Sequence, residues 1–204
     1  MEIYNLYPGS MGSNCYVLIS GSHAAVIDPS ASADGILDFL NKKNASLECI
    51  ILTHGHFDHM FSADTLRSLS GAPLLVHEND ADNLSDGDKN AFKTLFGRDR
   101  KFYPAEKTLR HGDKISVGDE CLTVLNTPGH TDGCICLLGD GVLFTGDTLF
   151  AESIGRCDLY SGSPQKMRES LDFLRTLDQK LKIYPGHGDT GILGHALDIV
   201  SYYF

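Results

Sequence analysis

The chain has 204 residues, of which 42% are hydrophobic and 22% charged, and its formal net charge is −10 at pH 7. This composition is typical of a globular domain with a sizeable core, and so acidic a chain is a poor match for nucleic acid, whose phosphates bind clustered Lys and Arg. No apolar run approaches the roughly 20 residues of a membrane span, the first residues lack a secretory signal, and the six cysteines form no C-x-x-C pair, so we expect a cytoplasmic protein without a membrane partner and with buried, reduced thiols.

The first third of the chain alternates between strand and helix patterns. Strands are predicted over residues 2–7, 14–20 and 23–28, and the turn Ser20-Gly21-Ser22 joins the last two as a hairpin. A helix is predicted over 33–43, and the apolar run over 49–53 suits a strand that is buried on both faces. A second helix over 62–70 and a strand over 73–77 follow.

Residues 79–107 are polar and charge-rich, and we interpret them as an excursion from the core that is partly helical around 90–96. Strands resume over 108–110, 114–117, 120–126, 133–138 and 142–145. Ser163 is suited to cap a long amphipathic helix over 164–180 that begins with Pro164, and a strand over 182–184 and a terminal helix or turn follow. The alternation predicts a layered α/β protein that forms one domain over residues 1–204, with sheets packed inside helices.

Four loops share one design, in which an apolar strand ends and histidine or aspartate follows at once. They read I-L-T-H-G-H-F-D-H, L-N-T-P-G-H-T-D, L-F-T-G-D-T and I-Y-P-G-H-G. A lone histidine or aspartate in such a loop is more often an ordinary turn residue. Three histidines and one aspartate within six positions, as in the first loop, are hard to explain without a cation. Imidazole and carboxylate ligands suit zinc, iron or manganese.

The polar residues of these loops are numerous enough for two metal sites that share one carboxylate. The two sets and the shared residue are His54, His56 and His130; Asp58, His59 and His187; and Asp147. Two ions roughly 3.5 Å apart can hold a hydroxide between them and polarise a substrate oxygen. This chemistry predicts hydrolysis, with Asp58 and Asp147 as catalytic residues that orient the hydroxide.

These motifs resemble the metallo-β-lactamase superfamily, whose signature is H-x-H-x-D-H followed by single His, Asp or Cys, and His ligands on later loops. The resemblance covers the whole chain in the correct order, including T-P-G-H-T, F-T-G-D-T-L-F and P-G-H-G. It implies the αββα sandwich, an α/β fold of two mixed β-sheets flanked by helices, with the site along one edge of the sheets. It also implies two divalent metal ions, zinc with iron or manganese as alternatives, bound by the seven residues named above.

Within the superfamily, T-H-G-H-F-D-H, G-D-T-L-F and S-I-G-R-C-D-L are similar to the glyoxalase II-like branch, especially its short bacterial members. That likeness implies hydrolysis of S-D-lactoylglutathione to glutathione and D-lactate. Asp147 stands where zinc β-lactamases carry a cysteine ligand, which argues against antibiotic hydrolysis. Two departures bear on the substrate: the family's C-terminal helical domain does not follow the last ligand, and Cys157-Asp158 replaces the expected aromatic. Arg156 could grip a substrate carboxylate or pair with Asp158.

Two other functional hypotheses are compatible with the same residues. Persulfide dioxygenases resemble this branch and use one iron held by two histidines and an aspartate, for which His56, His130 and Asp147 could serve. Flavodiiron proteins carry an oxygen-reducing di-iron site on this fold, but neither their flavodoxin domain nor their ligand glutamate is found in the sequence. We therefore predict a hydrolase of a small-molecule thioester, with another ester or a lactone as an alternative substrate and the oligomeric state open.

Overall fold

The computed structural model describes residues 1–6 and 10–203. The strands are β1 Glu2–Asn5, β2 Tyr16–Ser20, β3 His23–Ile27, β4 Ser46–Ile51, β5 Leu74–His77, β6 Lys107–Leu109, β7 Lys114–Val117, β8 Glu120–Asn126, β9 Ile135–Gly139, β10 Val142–Gly146, β11 Lys182–Pro185 and β12 Gly191–Ile192. The α-helices are α1 Ala33–Lys42, α2 Ala63–Ser70, α3 Phe92–Phe96, α4 Pro164–Leu174 and α5 Leu193–Val200. Short 3-10 helices span Ser10–Gly12, Glu78–Asn83 and Ser201–Tyr203.

The strands form two six-stranded mixed sheets, as predicted. The first has the order β1-β2-β3-β4-β5-β6, and the second has the order β12-β11-β10-β9-β8-β7. In the first sheet β1, β2 and β3 are antiparallel, whereas β3 to β6 run parallel. In the second sheet only β10 and β11 run parallel. Each sheet therefore has parallel strands whose carboxyl ends share an edge.

The protein has four layers, in the order helices, sheet, sheet, helices, and an apolar cluster lies between each adjacent pair. Alternate residues of a strand point to opposite faces, so in β2 Leu18 packs between the two sheets while Val17 faces the layer that contains Ile36 of α1. On the outer face of the second sheet, α4 and α5 cover Leu143 and its neighbours, with Met167 contributed by α4. Helices thus flank both sheets, which is the predicted αββα sandwich.

Most predicted elements are present, with limited shifts at their ends. The β2–β3 hairpin is confirmed, since Ser20 pairs with His23 across the turn. Ser163 caps α4 as predicted, its side chain accepting from Lys166 N at 3.3 Å. The helix predicted over 164–180 was too long, because α4 ends at Leu174. The two-residue strand β12 was missed, and Tyr7, at the end of the first predicted strand, lies outside the described residues.

The thiol prediction is correct about pairing but partly wrong about burial. All six cysteines are free. Four of them are buried, whereas Cys121 is exposed and Cys157 is half-buried. Cys121 lies on β8 at a position whose neighbour Leu122 is fully buried, so the alternation of the strand turns Cys121 outward.

The segment over residues 79–107 carries a 3-10 helix and the short helix α3, joined by turns. Leu84, Phe92 and Phe102 are buried in the apolar layer outside the first sheet. No helix within the described ranges is long and apolar enough to cross a membrane. The single-domain organisation, the cytoplasmic address and the lack of a nucleic-acid partner stay predictions.

Candidate metal centre

The four polar loops meet at one edge of the sandwich, where two backbone hydrogen bonds bring strand ends together. Ile135 N, at the start of β9, donates to Thr53 O, just after β4, at 2.9 Å. Gly186 N donates to Gly146 O at 2.8 Å, so the ends of β10 and β11 lie side by side. The first loop follows the first sheet and the other three follow strands of the second, which places their polar side chains over the seam between the sheets.

The predicted ligand residues form three overlapping groups whose ligand atoms lie within 4.8 Å of one another. The groups are His54, His56 and His130; His54, His59 and Asp147; and Asp58, His59 and His187. The structure therefore brings together all seven residues that the sequence singled out. Their role as ligands is a proposal that rests on this geometry.

Asp147 lies between the two outer groups. Its Oδ2 is 3.5 Å from His130 Nε2, and its Oδ1 is 3.4 Å from His59 Nε2. A Cβ on Gly186 would come within 2.1 Å of Asp147 Oδ1, so only glycine leaves room for this carboxylate. Asp147 is thus placed to reach a cation in either group.

Several buried polar atoms of the cluster lack the hydrogen bonds that burial ordinarily requires. Within the described ranges, His54 Nε2, His56 Nε2 and Asp147 Oδ1 are buried and have no hydrogen-bond partner. Such groups cost about 1–3 kcal/mol each when left unsatisfied. A divalent cation accepts the lone pairs of imidazole and carboxylate, so the donor set fits this kind of ligand. The cluster therefore supports divalent metal binding.

The protonation of the buried histidines also suits metal binding. Burial, reinforced by neighbouring imidazoles, lowers the pKa of His54 and of His56 well below the usual value. Both rings are then neutral at pH 7, and each keeps a nitrogen lone pair, which is the form that binds a metal.

The other half of the cluster is electrostatically different. Burial acts to lower the pKa of His59, but the carboxylates of Asp147, Asp58 and Asp28 outweigh it and raise that pKa to about 10. Burial likewise acts to raise the pKa of Asp58, but His59 and His187 outweigh it and bring that pKa below its usual range. Carboxylate and imidazolium therefore compensate each other where a cation is not bound.

Contacts on the far side of the rings orient them. His130 Nδ1 lies 2.6 Å from the carbonyl oxygen of Arg156, to which it can donate, so that Nε2 faces the cluster, 2.8 Å from His56 Nδ1. His187 Nδ1 lies 3.3 Å from Gly12 O. His59 Nδ1 lies 3.0 Å from Asp28 Oδ2. Partners of this kind fix the tautomer and the orientation of a ligand histidine.

Asp28 is a functional candidate that the motif analysis missed. It directly follows β3, has φ +52° and is buried. Besides contacting His59, its carboxylate accepts from Thr53 N and Thr53 Oγ1, both at 2.7 Å. The signal was available, since A-A-V-I-D repeats the strand-then-aspartate design of the ligand loops.

Asp80 is a second missed candidate and carries no sequence signal. Its side chain is fully buried, and it accepts from Gly55 N at 2.8 Å, Thr131 Oγ1 at 2.7 Å and Gly133 N at 2.8 Å. Burial raises the pKa of Asp80, and these three donors offset part of that effect. Because Gly55 lies between His54 and His56, this carboxylate ties the first ligand loop to the loop of His130.

A cleft of about 280 Å³ opens over the cluster. Five of the proposed ligands line it, together with Met11, Phe57, Ala91, Leu95, Phe150, Gly155, Arg156 and Leu159. Arg156, the predicted substrate contact, donates from Nε and Nη2 to the carboxylate of Asp158 at 2.6 and 2.8 Å. The structural pairing therefore exists, and contact of Arg156 with a substrate stays a prediction.

A sequence model described as the metallo-beta-lactamase superfamily matches residues 8–187, a range that contains every proposed ligand. The chain belongs to this superfamily. The match and the two-sheet architecture agree with the fold that the motifs implied. The glyoxalase II-like branch is a finer assignment and is taken up below as part of a proposal.

Relatives within the metallo-beta-lactamase superfamily match along nearly their whole length. The "probable metallo-hydrolase YqgX" of Bacillus subtilis is 30% identical over 189 residues, covering 91% of this chain and 90% of the relative. The structure of BLEG-1, a B3 metallo-beta-lactamase, has a TM-score of 0.91 at 29% identity and covers 98% of this chain and 99% of its own. A di-iron-bound form of TTHA1623 has a TM-score of 0.83 at 26% identity and covers 99% and 100%. The chain is thus similar to probable hydrolases and to a protein that holds two irons.

Proposed function

We propose that this metal-dependent hydrolase binds two ions and cleaves a small thioester, and that S-D-lactoylglutathione is the first substrate to test. The observation that carries the proposal is the pair of three-residue ligand groups that meet at Asp147 beneath an open cleft. The description of YqgX as a probable metallo-hydrolase supports the reaction class. The di-iron form of TTHA1623 supports two ions on this scaffold.

The seven clustered side chains divide between two ions. His54, His56 and His130 would hold the first, Asp58, His59 and His187 would hold the second, and Asp147 would contribute to both. Nitrogen and oxygen donors of this kind suit zinc, with iron or manganese as alternatives. When bound, the ions would lower the pKa of a water towards neutrality and polarise the scissile carbonyl.

The protein supplies orientation. Asp58 and Asp147 project towards the cleft, where their oxygens can accept hydrogen bonds from the attacking water and aim its lone pair at the carbonyl. Ser13 Oγ donates to Asp58 Oδ2 at 3.1 Å, which restrains that carboxylate. These are the roles that we assign to Asp58 and Asp147 as catalytic residues.

The cleft favours a leaving group that needs no proton. Apart from the proposed ligands, Arg156 is the one ionisable side chain among the described residues that line it, and a guanidinium does not give up its proton in proteins. A thiol has a pKa of about 8.5 and can leave as the thiolate, whereas an alcohol or amine leaving group must be protonated by an acid. A thioester therefore suits this site better than an ester or an amide.

The test is thiol release from S-D-lactoylglutathione by protein reconstituted with zinc and assayed for metal content. We expect release that requires about two zinc ions per chain and is lost in Asp147→Ala. The oxygen ester of lactate is the matched substrate control, and we expect its hydrolysis to be much slower. Protein confirmed to hold zinc but inert towards a panel of thioesters would refute the proposal.

Two further assays separate the competing activities. Oxygen consumption by iron-loaded protein in the presence of glutathione persulfide would show that the protein is a persulfide dioxygenase. Hydrolysis of a β-lactam is included because BLEG-1, to which the chain is similar over 98% of its length, is described as a B3 metallo-beta-lactamase. A β-lactam nitrogen leaves less readily than a thiolate, so we expect the thioester to be the better substrate.

A further inference from the structure

Apart from the proposed ligands, the cleft is lined mainly by apolar side chains. Five large apolar side chains from separate parts of the chain converge there, namely Met11, Phe57, Leu95, Phe150 and Leu159. We call these five residues the apolar wall. The same cleft is lined by His56, Asp58, His130, Asp147 and His187, so a substrate whose reacting bond lies at the cluster must place its next atoms against the wall.

Two members of the wall are left open to solvent. Met11 is 63% exposed and Leu95 is 50% exposed. A ligand that covers such apolar side chains gains about 25 cal/mol of binding free energy for each Å² of apolar surface removed from water. Their position at the mouth of a functional cleft makes them available to a ligand.

The wall is built on a supported base. Phe57 is buried, and its ring makes edge-to-face contacts with Phe92 at 5.1 Å and Phe96 at 5.5 Å between centroids. Both of these phenylalanines belong to α3, the helix that also carries Leu95. The packing of α3 on Phe57 therefore holds Leu95 over the cleft, and a hydrocarbon entering there would not have to order it.

Away from the proposed metal cluster, charge in the cleft does not favour an anionic group. Apart from the proposed ligands, Arg156 is the one cationic side chain among the described residues that line it. The carboxylate of Asp158 faces two donors of that guanidinium, at 2.6 and 2.8 Å. An anion approaching Arg156 must therefore also meet Asp158, so the pair offers little net attraction.

From these observations we infer that the apolar wall is a subsite for a short hydrocarbon acyl chain, and that within the thioester class the protein prefers unsubstituted acyl groups to hydroxyacyl groups. The cleft, at about 280 Å³, is slightly smaller than the roughly 300–1,000 Å³ of sites that bury a drug-sized ligand, which limits the chain to a short one. The inference rests on the proposed thioester hydrolysis and specifies its substrate.

The experiment keeps the thiol constant and varies the acyl group. Zinc-loaded protein is assayed with the propanoyl, D-lactoyl, butanoyl, hexanoyl and decanoyl thioesters of glutathione. Each methylene that the wall covers is expected to raise kcat/KM about fourfold, with a plateau before decanoyl. Propanoyl, which lacks only the hydroxyl of lactoyl, is expected to be the better of that pair. Equal values across the series, or preference for lactoyl over both propanoyl and hexanoyl, would overturn the inference.

Matched variants locate the effect. Leu95→Ala is expected to lower the hexanoyl-to-propanoyl ratio of kcat/KM by at least about fourfold, the value of one lost methylene contact. Leu69→Ala is the control, since Leu69 is a similarly exposed leucine on α2 that does not line the cleft. An unchanged ratio in Leu95→Ala, or an equal fall in both variants, would contradict the assignment.

A second readout does not depend on catalysis. Hexanoate added to zinc-loaded protein that carries ¹³C-methyl methionine is expected to shift the Met11 methyl signal, assigned with Met11→Leu, whereas acetate at the same concentration is not. If no thioester is cleaved but this shift is seen, the proposed function fails and the subsite stands. If thioesters are cleaved without chain-length preference and without a shift, the subsite fails and the proposed function stands.

Discussion

Replacing Asp80 by asparagine is expected to weaken both the fold and the proposed metal centre. The carboxylate accepts three hydrogen bonds, from Gly55 N, Thr131 Oγ1 and Gly133 N. In Asp80→Asn the amide nitrogen must face at least one of these donors, which leaves a buried N–H unsatisfied at a cost of about 1–3 kcal/mol. For a chain of this size that loss corresponds to a fall in Tm of roughly 2–12 °C.

The same tie joins two ligand loops, so metal affinity should fall as well. Losses of about 10–100-fold are typical when outer partners of metal ligands are removed. Differential scanning calorimetry of the metal-free protein and zinc competition with a chromophoric chelator measure the two effects. Asp82→Asn changes an exposed residue of the same 3-10 helix and is the control. Asp80→Ala should have larger effects than Asp80→Asn because all three hydrogen bonds to the carboxylate are lost. If Asp80→Asn matches Asp82→Asn in both Tm and affinity, the loop-tie argument is wrong.

Three other predictions follow from the site and the core. Asp28→Asn keeps a residue type that tolerates the observed φ of +52° but removes the charge facing His59. Zinc affinity in the same chelator competition should therefore fall about 10–100-fold. Asp38→Asn, at an exposed position, should leave zinc affinity unchanged. Zinc at 100 times its Kd should stabilise the protein by about 2.7 kcal/mol and raise Tm by roughly 5–11 °C, an effect that a chelator reverses and Asp147→Asn diminishes; an equal shift in that variant would refute the role of Asp147. Burial raises the pKa of Cys15 and of Cys136 to about 12, so native protein at pH 8 should show one fast thiol, Cys121, in a disulfide-exchange titration; a fast thiol persisting in Cys121→Ser would contradict the burial pattern.

Elements with a strong apolar period could be predicted closely. The bounds of β7 and β8 match their predictions: β7 alternates between exposed and buried residues throughout, and β8 alternates as far as Val124. The end of α4 could not be predicted in this way, since the pattern continues through Leu177. There the side-chain amide of Gln179 donates to the carbonyls of Leu174, Arg175 and Leu177, which ends the helix through contacts without periodicity.

The candidate site also contains residues that could be predicted from the sequence and residues that could not. The proposed ligands are recognisable because histidine and aspartate crowd directly after apolar strands, and such crowding has few explanations other than a cation. Asp80 is one of several acids in a polar segment that also holds Asp82, Asp86 and Asp88. Only its three partners from distant loops distinguish it, and those contacts exist once the chain has folded. The exposed members of the apolar wall, Met11 and Leu95, likewise could not be predicted from the sequence, because single exposed apolar residues are common.

The distribution of the ligand loops between the two sheets has a mechanical consequence. His54 and His59 follow a strand of the first sheet, whereas His130, Asp147 and His187 follow strands of the second. An ion gripped by both sides would act as a reversible cross-link between the halves of the sandwich and restrain their separation in partly open states. Metal binding should therefore slow amide hydrogen exchange in both sheets along the seam between them. The metal needed for the reaction would then also stabilise the fold.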